Sequence, residues 1–220
     1  MSINRNLALA CIISTVLAIC GDLLLLLVVN SLRAGMPVQQ RSITILAMGG
    51  LLGCLSIPLA YALGFAVMAR VIRPIAKTIA AIILFCGIGG AIIGPIIHGM
   101  TWMSIRSAII TGAISSSSPM EAIVEQGGIL LNVWIIGVVL LLVISILIVW
   151  SDIRRPRAIP LWLAFLNPIV LNLLIGTLGS FSEIGRSYIV PMAPNLAHLG
   201  FFIALYWCLH SGRVQQPAYS

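Results

Sequence analysis

The chain has 220 residues, 60% of them hydrophobic and 8% charged, with a formal net charge of +7 and a mean hydropathy of +1.15. Soluble domains carry about 25% charged residues, so this composition excludes a water-soluble fold: lipid has to solvate much of the apolar surface. The positive charge does not mark a nucleic-acid binder, because the basic residues stand singly or in short groups between apolar runs and form no basic face.

The first apolar run, 7–29, is longer than the roughly 7–15 residues of a signal-peptide core. It contains Asp22, and no small-x-small cleavage pattern follows it. We read it as a retained first span. A carboxylate inside a span is penalised by about 3 kcal/mol on insertion scales. Asp22 therefore has to face the protein interior and be paired, or keep its proton.

The second and third runs, 43–69 and 78–103, are rich in small residues. Gly49–Gly53 and Gly90–Gly94 each fit Gly-x-x-x-Gly, a spacing that puts both glycines on one helix face and lets two backbones approach. We expect them to pack within the bundle; contact between copies of the chain is the alternative. His98 follows Gly94 and Pro95, about 8 Å from the end of its run at 1.5 Å of rise per residue. It either meets headgroups or faces the interior.

Residues 104–128 read as the longest loop. Within it Ser118, Pro119 and Glu121 fit a capping box, with a short helix from Pro119 to Gln126 and with Glu121 and Glu125 on its outer side. The fourth run, 129–150, ends on a basic anchor that includes Arg154, Arg155 and Arg157. The fifth, 158–179, contains Asn167 and Pro168, where we expect a kink. Ser180 to Glu183 reads as a second capping box. The last run, 189–209, opens with Pro191, Pro194, Asn195 and His198. The three-residue spacing puts Asn195 and His198 on one face, about 9 and 13 Å below the outer end.

Six runs of about 20 residues or more point to an all-α polytopic membrane protein, a single domain of six transmembrane helices over 1–220. Eight Arg and Lys fall on one set of ends and loops and four on the other, which puts both termini in the cytoplasm. An inverted repeat of three plus three spans fails, because His98 comes late in its run and His198 early.

Asp22, His98, Asn195 and His198 thus share the outer third of the membrane on three spans. The leading reading is a ligand-binding pocket that holds or passes a small ligand or a proton. A second uses Asp22, His98 and His198 as zinc ligands of an intramembrane hydrolase acting on lipid, with an open fourth position. Its weakness is the lack of any His-x-x-x-His, so each ligand comes from a separate helix. A third makes the polar residues a helix lock in a structural or partner-binding protein. No Gly-x-Ser-x-Gly elbow, phosphate loop or Cys-x-x-Cys pair is present, which leaves serine hydrolases, P-loop nucleotide enzymes and thiol oxidoreductases without support. The five cysteines read as small buried hydrophobes.

Gly21-Asp22-Leu-Leu, Gly49-Gly50-Leu-Leu-Gly53 with Tyr61-Ala-Leu-Gly64, and Gly94-Pro95 with His98 resemble an uncharacterised family of bacterial six-span membrane proteins. The likeness covers the first half of the chain. It implies a six-helix fold in a bacterial inner membrane, and it implies no activity.

Overall fold

The structure, a computed structural model, describes residues 3–37, 39–111, 128–154 and 159–214. These residues form helices and turns, with no strand among them. In chain order they are α1 (Ile3–Arg33), α2 (Gln40–Ile72), α3 (Lys77–Thr111), α4 (Ile129–Arg154), α5 (Leu161–Phe165), α6 (Pro168–Gly179), a π-helical turn (Gly185–Ile189) and α7 (Val190–His210).

Five helical stretches are long and apolar enough to cross a membrane: four are α1 to α4, and the fifth is the π-helical turn continued by α7. This is the make-up of a multi-pass membrane protein, since only a helix satisfies its own backbone in hydrocarbon. Pro58, Pro95 and Pro194 lie inside helices that continue past them. Helix α3 thus continues through Pro95 to His98 and runs on to Thr111, well into the predicted loop. The predicted helix from Pro119 to Gln126, with Glu121 and Glu125, lies outside the described residues.

The fifth predicted run is not one helix. It breaks at Leu166–Asn167, and Pro168 starts a new helix where a kink was expected. The Asn167 side chain accepts from the backbone of Ile169 at 3.1 Å and Val170 at 3.2 Å, while its Nδ2 donates to Ala164 O at 3.0 Å. Asn167 is therefore an N-cap, and Pro168 takes the first helical position, where its missing N–H leaves no bond unmade. Alone, α6 rises about 18 Å, short of a bilayer core of about 30 Å. With α5 it lies antiparallel to α7: Trp162 meets Trp207 at 5.7 Å, Leu171 faces Gly200, and Gly179 faces Ile189 and Val190.

The predicted second capping box is also corrected. Ser180 ends α6, its hydroxyl donating to Thr177 O at 2.6 Å. It is the Ser182 hydroxyl that accepts from Gly185 N, at 2.9 Å. Glu183 is exposed.

The small residues explain how the first three helices close up. A Cβ on Gly21 of α1 would stand 2.9 Å from both Gly49 O and Gly53 N of α2, so these backbones touch. Gly90 and Gly94 of α3 receive the side chains of Tyr61 and Ile57 of α2. Both Gly-x-x-x-Gly pairs are thus used inside the chain. The main core lies toward the other end of the bundle, where Phe65, Met68, Ile72, Ile83, Ile148, Leu163, Phe201 and Phe202 are fully buried. Cys11, Cys86 and Cys208 are buried as expected, but Cys20 is on the exposed face of α1.

Candidate functional site

Asp22 sits where α1 and α2 are in backbone contact, one residue after Gly21. Its two oxygens are held by two other helices. Oδ1 lies 3.3 Å from His98 Nδ1 of α3, and Oδ2 accepts from Asn195 Nδ2 of α7 at 2.6 Å. The other ring nitrogen of His98, Nε2, lies 3.2 Å from Gly49 O of α2. Three helices therefore meet at one carboxyl group, and His98 joins α2 to them. His98 is 6% exposed and Asn195 8%; His98 is not an interfacial residue meeting headgroups.

The hydrogen-bond partners assign the protons. A backbone carbonyl only accepts, so His98 Nε2 carries a hydrogen and donates it to Gly49 O. His98 Nδ1 faces Asp22 Oδ1 at 3.3 Å, and a proton held between them would make the pair neutral overall, which suits a medium that penalises net charge.

Glycine creates the room for this arrangement. A Cβ on Gly53 would collide with the His98 ring at Nε2, and one on Gly50 would meet the Trp102 ring at 2.6 Å. His98 and Trp102 are one turn apart on α3, and their rings lie in a groove that exists because α2 is Gly49-Gly50-Leu-Leu-Gly53 there. Sequence reasoning placed these glycines in helix packing and missed that they seat the histidine. The available signal was a glycine next to the carboxylate of the first span, with a glycine pair on the second.

His198 does not join the others. Its Nδ1 lies 2.7 Å from Pro194 O of its own helix, and its ring stacks on Tyr61 at 4.3 Å with planes 25° apart. Phe65 and Phe202 close around it with ring centres 5.9 and 5.8 Å away. It makes no hydrogen bond to Asp22 or His98. Tyr61 is a wall of this nest that sequence analysis did not single out as a site residue. Of the three residues read as zinc ligands, Asp22 and His98 pair and His198 bonds elsewhere; no group of three His, Cys, Asp or Glu among the described residues is placed to hold a metal ion. His210 is exposed and stacks on Tyr206 at 6.1 Å.

A family model matches residues 1–212, and its description is a family of unknown function, DUF6796. The chain belongs to this family. The match takes in both halves of the site, including α7 with Asn195 and His198, where the resemblance read from the sequence stopped at the first three spans. No curated protein and no solved structure matches the chain.

Proposed function

We propose that the protein is a cell-membrane protein, of the bacterial inner membrane, that takes up a proton or a small polar ligand at the Asp22–His98–Asn195 centre and passes it within the bundle. His198 lies next to this centre on the same helix as Asn195. The observation that carries the reading is the Asp22 carboxyl group shared by His98 of α3 and Asn195 of α7. Such a group in a span defaults to a functional site with a named partner. Full bonding of Asp22 and His98 favours a second role, a helix lock.

One experiment separates the two. The protein and its Asp22→Asn variant are reconstituted into vesicles carrying an internal pH dye, and an imposed potential drives proton entry. In the variant the amide can accept from Asn195 and donate to His98 Nδ1, so the fold is kept while the exchangeable proton is lost. At least tenfold slower entry with unchanged melting supports the reading. Entry no faster through the native protein than through protein-free vesicles, and no binding change in the variant, leaves the lock.

The proposed topology has six crossings, the fifth made by α5 and α6 together. Their pairing with α7 from Trp162 to Gly179 supports this, since the pair covers the same length as Ile189 to Trp207. Both termini then lie on one side, which the Arg and Lys count makes the cytoplasm. A reporter active only outside the cytoplasm should be silent when fused after Ser220 and active when inserted between residues 112 and 127. Activity at both places overturns the topology.

A further inference from the structure

The second buried histidine carries a specific requirement. Its Nδ1 faces Pro194 O at 2.7 Å, and since a carbonyl only accepts, Nδ1 holds the hydrogen. A neutral imidazole then has one lone pair left, on Nε2. That atom is buried and has no hydrogen-bond partner, on a residue only 1% exposed. Because Nδ1 points back along α7, Nε2 points away from its own helix and into the bundle. Tyr61 lies over the ring face with planes 25° apart, so its hydroxyl is not in the imidazole plane, where the lone pair lies. Phe65 and Phe202 offer no donor. Buried acceptors of this kind are bonded to protein or to an ordered small molecule.

We propose that a neutral O–H donor binds at His198 Nε2 beside Tyr61, forming a second station one helical turn along α7 from Asn195. This deepens the proposed function and rests on it for its role: the polar path then continues from the Asp22 carboxyl group toward the middle of the membrane. The site calls for a donor rather than an anion, because the atom it presents is an acceptor among aromatic walls. Water and the hydroxyl of a lipid or solute share that chemistry.

The test is nitrogen NMR of protein labelled at histidine and held in lipid nanodiscs. The chain has three histidines; His210→Gln and His198→Phe assign the signals, and His98→Gln does so by difference should His198→Phe fail to fold. The expected result is an Nδ1-protonated His198 whose Nε2 signal is shifted from that of a free lone pair. Magnetisation transfer from water to that nitrogen identifies water as the donor. A shift that lacks such transfer and disappears on delipidation identifies a lipid hydroxyl. An Nε2 signal at the free lone-pair position, or a ring protonated at Nε2, overturns the proposal. This readout does not depend on proton entry, so it stands or fails separately from the vesicle experiment.

Discussion

His98 and His198 are both buried histidines in apolar helices, 6% and 1% exposed, and they do different things. His98 reaches across helices: one nitrogen meets α1 and the other α2. His198 turns one nitrogen onto its own helix and lays its face on aromatic rings. Burial alone therefore does not rank histidines. The location of the partner does, because a bond between helices couples their positions, whereas a bond within one turn leaves the bundle indifferent to it.

The largest test of that contrast is Asp22→Ala. It strands His98 Nδ1 and the Asn195 amide in a low-dielectric interior and should destabilise the bundle by about 3 kcal/mol, read as a lowered unfolding midpoint in micelles. Asp22→Asn should stay within about 1 kcal/mol of the native protein, since it keeps both bonds. Equal losses in the two variants would show that charge, not bonding, holds the junction.

Gly53→Ala comes next. The new methyl group collides with the His98 ring, and overpacking of this kind typically destabilises by about 1–3 kcal/mol. Melting should fall, and the His98 nitrogen signals should move while those of His198 stay. Gly176→Ala, at a glycine with nothing within reach of its Cβ, is the control and should melt as the native protein does.

Asn195→Ala removes one of the two bonds to Asp22. Single hydrogen bonds between membrane helices are worth about 0.6 kcal/mol on average and reach about 1.7, so a shift in that range is expected from the same unfolding measurement. The smallest effect belongs to His198→Phe. An aromatic ring stays among Tyr61, Phe65 and Phe202; the bond to Pro194 O and the proposed bond at Nε2 are lost, but the polar atoms that made them go too, so the cost is about 1 kcal/mol or less. A drop larger than that of Asp22→Ala would reverse the comparison and make the aromatic nest the structural centre.

Much of this was legible in the chain. Membrane crossing follows from composition and run length, since hydrocarbon leaves a backbone little choice but helix. That Asp22 needs a partner follows from the penalty on a lone carboxylate, and His98 and Asn195 were both named for it. The fifth run was misread because hydropathy does not register a break: Leu161 to Gly179 is apolar throughout apart from Asn167, Asn172 and Thr177. The break lies in the Asn167 side chain, which bonds the next turn and lets Pro168 begin it. The direction in which His198 bonds was hidden for a related reason. Spacing put it on the face of Asn195, but its rotamer turned Nδ1 to Pro194.

The chain by itself determined the medium, the helices and the need to neutralise a carboxylate in the first span, because transfer free energies depend on residue type and hardly on neighbours. Which histidine answered that acid was decided only in three dimensions. The choice rested on where backbones approach closely enough, at Gly21, Gly49 and Gly53, for a ring on a third helix to reach across. Contact of that kind is a property of pairs distant in sequence, and no single run contains it.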